Sequence, residues 1–140
     1  MHNIPTLITA ALAARERAHA PYSGFHVGAA VLCDGGAIYS GCNIENAAYG
    51  ATVCAEQVAI FKAISEGEQQ ICAVAVVGGP AGNKVEDYAY PCGVCRQVMA
   101  EFCANAGDFT VVVAKSVDDY KVFSSMSELL PFSFSGSSLR

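Results

Sequence analysis

Residues 71–78 (ICAVAVVG) are apolar almost without interruption, as in a strand buried on both faces, and 109–114 (FTVVVA) repeat the pattern. Around these two runs the periodicity switches between helical and extended. Residues 5–19 read as an amphipathic helix, and 26–33 with 37–41 as a hairpin turned by Asp34-Gly35-Gly36. Val53 to Glu66 form a second helix, with Val58 and Phe61 on one face, Lys62 and Glu66 on another, Thr52 as the expected N-cap and Gly67 as the stop. Gly93 to Ala104 form a third, with Pro91 just before its start and Val94, Val98 and Phe102 on one stripe. The glycines of Gly78-Gly79-Pro80-Ala81-Gly82 read as a turn, because no G-K-[ST] follows to make a phosphate loop. A short strand near 120–123, a helical turn near 126–130 and a Ser-rich tail end the order. Strands interleaved with helices predict a single α/β domain over 1–140, a three-layer α/β/α sandwich around a mixed sheet of about five strands. Residues 131–140 form its tail, and the site belongs at the C-terminal edge of the strands.

Both later helices begin at cysteines. Cys54-Ala55-Glu56 opens one, and Pro91-Cys92-Gly93-Val94-Cys95 opens the other. A C-x-x-C pair alone is ambiguous among a redox pair, half a zinc ribbon and two buried thiols. A ribbon needs a second such pair, which Cys33, Cys42, Cys72 and Cys103 do not provide, and a redox pair leaves Cys54 and Glu56 unexplained. Three thiolates, Cys54, Cys92 and Cys95, make a metal site with one position left for water, the arrangement of catalytic rather than structural zinc. Two helix N-termini, each worth roughly +0.5 charge, partly offset the surplus thiolate charge. Glu56 is a free carboxylate beside that water, and a capping-box partner of Thr52 would fall at Ala55, so Glu56 is available as general base.

Composition narrows the setting. A chain of 140 residues that is 53% hydrophobic and 15% charged is ample for one core. A net charge of −5 and no Lys/Arg cluster argue against nucleic acid as partner. No charged-then-apolar leader and no apolar run of transmembrane length stand in the sequence, so the expectation is no membrane partner and a cytoplasmic location. Seven cysteines without a disulfide-like framework suit a reducing compartment, the four outside the metal set being small buried hydrophobes.

Further motifs carry a family resemblance over essentially the whole length. They are Pro21-Tyr22-Ser23-Gly24-Phe25-His26-Val27-Gly28-Ala29-Ala30, then Gly41-Cys42-Asn43-Ile44-Glu45-Asn46-Ala47-Ala48-Tyr49, then C-A-E and P-C-G-V-C-R-Q, then Leu129-Leu130-Pro131. In that order they resemble the small zinc-dependent cytidine deaminases of pyrimidine salvage; C-A-E with P-C-x-x-C alone would indicate only the wider zinc deaminases. The resemblance implies hydrolytic deamination of cytidine and 2'-deoxycytidine, one Zn2+ per subunit and a homotetramer with sites completed across subunits. By similarity Asn43 and Glu45 hold the ribose hydroxyl and Phe25 packs on the pyrimidine. Ala55 offers its backbone N–H to the base edge, and Phe134, with Phe132 close by, reaches a neighbouring subunit's site. In one departure Gln57 stands where the family commonly has Arg, so it can donate a hydrogen bond to the thiolates but no charge, and Arg96 is the remaining cationic candidate. A related deaminase of a modified cytosine nucleoside such as blasticidin S shares C-A-E and P-C-G-x-C-R-Q; Asn43, Glu45 and the Phe25 segment favour an ordinary nucleoside. A zinc-stabilised interaction module would have no use for Glu56.

Overall fold

A computed structural model describes residues 3–103 and 109–140. The two apolar runs lie side by side in one sheet of five strands: β1 (Phe25–Cys33), β2 (Ile38–Cys42), β3 (Ile71–Pro80), β4 (Thr110–Ser116) and β5 (Asp119–Phe123). Their order is β2-β1-β3-β4-β5. β3 and β4 are parallel and the other pairs antiparallel, so the sheet is mixed. A parallel pair needs a crossover, and α3 (Gly93–Phe102) supplies it between β3 and β4. Helices α1 (Ile4–Arg15) and α2 (Ala55–Ser65) complete the layers.

Alternation along the strands divides the core. On β3, Ala73, Ala75 and Val77 meet Leu7, Ile8 and Ala11 of α1, whereas Val74 and Val76 meet Ala55, Ala59 and Ile60 of α2 and Cys95 and Met99 of α3. One helix therefore covers one face and two cover the other, as an α/β/α sandwich requires. A glycine permits the closest approach on each side. A Cβ on Gly28 would sit 2.0 Å from the Ala11 carbonyl oxygen of α1, and one on Gly41 would sit 2.6 Å from the Ala59 nitrogen of α2.

Several boundaries differ from the pattern-based expectation. α1 stops at Arg15 rather than 19 because the chain leaves to pair with the segment after β2: His19 N–H donates to Asn43 O at 3.0 Å and Glu45 N–H to His19 O at 2.7 Å. α2 is capped by Cys54, not Thr52, whose hydroxyl instead accepts the Asn46 N–H at 3.1 Å. Its buried face is Ala55, Glu56, Ala59, Ile60 and Ala63, while Phe61 is 47% exposed. α3 buries Cys95 and Met99, leaving Val94 exposed and Val98 and Phe102 half-buried against the core. Ala104, the expected end of that helix, lies outside the described residues. Gly78, Gly79 and Pro80 are strand rather than turn, paired with Val27, His26 and Phe25.

Candidate metal centre and substrate pocket

Cys54 and Cys92 both occupy N-cap positions in extended backbone (φ −76°, ψ 155° and φ −70°, ψ 170°), so α2 and α3 point their N-termini at a common place. Cys95, one turn into α3, folds its thiol back toward the same point. Its sulfur lies 3.5 Å from that of Cys92, and its N–H donates to the Cys92 sulfur at 3.5 Å. The sulfurs of Cys54, Cys92 and Cys95 all lie within 4.8 Å of one another. Tetrahedral zinc with bonds of about 2.3 Å holds thiolates roughly 3.8 Å apart, so this donor set fits zinc after small side-chain adjustments and leaves the fourth position open. The Cys54 thiol is brought down to about 7, chiefly by the hydrogen bond from Cys95, against the opposing effect of burial. Cys95, which donates that proton, is pushed up by the same bond, by burial and by the nearby Glu56 carboxylate. Gln57 adds a donor, its Nε2 lying 3.6 Å from the Cys95 sulfur.

Glu56 sits in the first turn of α2 and is only 4% exposed. Burial raises its pKa above the ordinary carboxylate value, with its own backbone N–H and the Cys95 thiol opposing the shift. A carboxylate so placed is a better proton acceptor than one in water, which suits a general base working near neutrality.

Cys54, Cys92 and Glu56 line a cavity of about 190 Å³ whose other walls include Phe25, Val27, Asn43, Ala55 and Val76. The Phe25 ring reaches over Gly78, where a Cβ would lie 3.1 Å from Cε2; the missing side chain makes room for the ring. As the first residue of α2, Ala55 has a backbone N–H without an intrahelical acceptor. Asn43 spans the start of β1: its Oδ1 accepts the Val27 N–H at 2.9 Å and its Nδ2 donates to Phe25 O at 2.9 Å. One donor and one lone pair of the amide are left over.

Glu45 lines an adjoining cavity of about 370 Å³ with Tyr22, Ser23, Tyr49 and Thr52. That cavity is larger but no thiol lines it; Thr52 borders both. The Glu45 carboxylate accepts the Ser23 hydroxyl at 2.5 Å and the N–H groups of Tyr22 and Ser23 at 3.0 and 3.1 Å. The Ser23 hydroxyl bond leads in holding its pKa below the usual range.

The match to known sequences follows the same residues. Residues 1–113 fit the family model described as cytidine and deoxycytidylate deaminase zinc-binding region. The chain belongs to that deaminase family. It is 45% identical over 133 residues to a cytidine deaminase of Sporosarcina psychrophila, covering 95% of this chain and 92% of the relative. A crystal structure of cytidine deaminase from Burkholderia pseudomallei superposes with a TM-score of 0.82 at 43% identity, covering 96% of this chain and all of that one. A blasticidin-S deaminase of Bacillus cereus is more distant, 31% identical over 112 residues, covering 78% of this chain and 76% of the relative. Zinc is accordingly the metal of this deaminase, and its three thiolates are the ligand set that fits it.

The remaining residues singled out in the sequence stand outside the thiol-lined cavity. Arg96 donates to Pro91 O and Leu129 O, both at 2.8 Å, so it braces the turn into α3 against the chain near the C-terminus. Phe134 is 60% exposed and its carbonyl accepts from Gln97 Nε2 at 2.9 Å; Phe132 has φ 53° and a fully exposed ring. Tyr90, Val76 and Thr52 also border the cavity, and none of them has a place in the site as read from the sequence, where Thr52 is only a helix cap. Tyr90 is adjacent to Pro91-Cys92, a signal that was available; Val76 is indistinguishable from any core valine. No helix among the described residues is long and apolar enough to cross a membrane.

Proposed function

We propose that this deaminase hydrolyses cytidine and 2'-deoxycytidine to the uridine products and ammonia, as an enzyme of nucleoside salvage in the cytoplasm. The observation that carries this reading is a buried Glu56 at the mouth of α2, in one cavity with two of the thiols, an aromatic wall and Asn43. Zinc held by Cys54, Cys92 and Cys95 would supply an acidified water at neutral pH. Glu56 would take one proton of the attacking water and deliver it to the ring nitrogen beside the amine-bearing carbon. Once the water oxygen has bonded to that carbon, Glu56 would take the remaining hydroxyl proton and pass it to the exocyclic amine as its C–N bond breaks, leaving the ring carbonyl and ammonia. Phe25 packs against the pyrimidine, the Ala55 N–H meets the base edge, and the spare amide donor of Asn43 with Glu45 holds the ribose.

A homotetramer is part of the same reading. Phe61, Val94, Phe132 and Phe134 are exposed in the single chain and would supply apolar contacts to neighbouring subunits. Phe134 would then complete a neighbour's site.

Ammonia release from cytidine, deoxycytidine, CMP, free cytosine and blasticidin S, by zinc-loaded protein and by Glu56→Gln, tests the function. Both nucleosides should turn over, and Glu56→Gln should lose on the order of 10²–10⁴-fold in kcat. The variant should keep its zinc and melt no lower, since it removes a buried carboxylate that burial disfavours in its charged form. Turnover of blasticidin S alone would replace the nucleoside reading, and an active Glu56→Gln would remove Glu56 from the chemistry.

A further inference from the structure

Arg15 is the last residue of α1 and is only 7% exposed, although it carries a charge and lies on the face of the sheet away from the thiols. A guanidinium withdrawn from water needs acceptors for its donors. Here they are main-chain carbonyls: Nε donates to His26 O at 3.0 Å, and Nη2 to Gly79 O at 3.1 Å, Pro80 O at 2.8 Å and Asn83 O at 3.1 Å. These belong to the first residues of β1, the last of β3 and the turn beyond. The same rungs, Phe25 with Pro80, His26 with Gly79 and Val27 with Gly78, end the β1–β3 ladder.

That end of the ladder has little intrinsic reason to stay closed. Gly78 and Gly79 have no side chains to pack, and Pro80 has no N–H to give. Strand termini of this kind fray. Yet Phe25 must hold its ring over Gly78 to form the pocket wall. Asn43 fixes the Phe25 and Val27 backbone from the β2 side, and Arg15 ties His26 to Gly79 and Pro80 from the α1 side.

We infer that Arg15 is a positioning residue for the substrate pocket: its fork of hydrogen bonds locks the end of the β1–β3 ladder and so sets the place of the Phe25 ring. The inference rests on the nucleoside reading of that pocket. Lysine keeps the charge but not the planar fork, and is therefore an informative replacement. Kinetics of the zinc-loaded, full-length Arg15→Lys and Arg15→Met variants with cytidine provide the test, each repeated in a Phe25→Ala background. Arg15→Met retains much of the apolar stem without a buried charge, so a folded variant is available even where Arg15→Lys fails. KM should rise on the order of tenfold while kcat and zinc content stay within about twofold, as a misplaced binding wall requires. With Phe25 already removed, the same substitutions should raise KM by less than about twofold, because coupled residues are not additive. An unchanged KM with a lowered melting temperature, or full additivity with Phe25→Ala, would make Arg15 a purely structural staple and overturn the inference. Should the unaltered protein turn over no nucleoside, the substrate reading fails separately. Amide exchange over residues 25–27 and 78–79 of Arg15→Met would then decide whether the fork closes the ladder, unchanged protection overturning it.

Discussion

α1 enters through Asn3, whose side-chain oxygen accepts the Thr6 N–H at 3.2 Å. α2 enters through Cys54, with no side-chain capping bond, and α3 through Cys92, whose sulfur receives the Cys95 N–H at a long 3.5 Å. Asparagine is among the best N-caps, and cysteine is not one of the residues the position prefers. The helix on one face of the sheet thus begins as stability dictates, and the two on the other begin as the metal dictates. The buried charges divide in the same way: Arg15 on the α1 side satisfies four carbonyls, whereas Glu56 on the other side is left with its pKa raised by burial. One face holds the sheet and the end of its ladder; the other holds reactive groups that the fold alone would not choose.

Truncation on the α1 face is the harshest way to probe this division. Leu7 is 1% exposed within the cluster formed by α1 and the sheet, and Leu7→Ala should cost about 2–5 kcal/mol, read by urea unfolding. At saturating cytidine the folded variant should keep its kcat. A parallel fall in kcat would show that the α1 face takes part in the chemistry.

The paired glycines give a smaller but more discriminating contrast. Gly28→Ala presses on Ala11 and Arg15 of α1, and Gly41→Ala on Ala55 and Ala59 of α2, each at about 1–3 kcal/mol or somewhat more where backbone is struck. Only Gly41→Ala displaces the helix that carries Cys54 and Glu56, so only it should also weaken zinc binding, measured by competition with a chelating dye. Equal loss of zinc in both would mean that the sheet transmits strain between its faces.

What was legible in the sequence follows from range. Cys54-Ala55-Glu56 and the P-C-x-x-C pair declare themselves because a helix start fixes their geometry over a few residues, and the buried runs of β3 and β4 declare themselves by composition. The buried face of α2 is hard to read from pattern because most of its contacts are made by Ala55, Ala59 and Ala63, small residues that carry less weight than Val58 and Phe61. The strand character of Gly78-Gly79-Pro80 could not be seen locally. It is imposed by β1 and by Arg15, 64 residues away from Gly79. Thr52 looked like a cap by propensity, and the ligand cysteine took that position instead.

The smallest effects test the caps themselves. Asn3→Ala should destabilise by about 0.5–2 kcal/mol with no change in turnover, the ordinary cost of a lost cap. Cys92→Ser should do the opposite in chelator-treated protein, since a serine hydroxyl is a preferred cap for the N–H that now meets a sulfur; a gain of several tenths of a kcal/mol is expected. Adding zinc should reverse the ranking. At a hundredfold excess over its Kd the metal stabilises the unaltered chain by about 2.7 kcal/mol, and a variant with one ligand fewer receives little of this. Melting curves of the two proteins, with and without zinc, should therefore change order. If Cys92→Ser melts lower in both conditions, the thiol contributes to the metal-free fold as well, through its contacts with Cys95, and the division between a stabilising face and a chemical face is not as clean as the caps suggest.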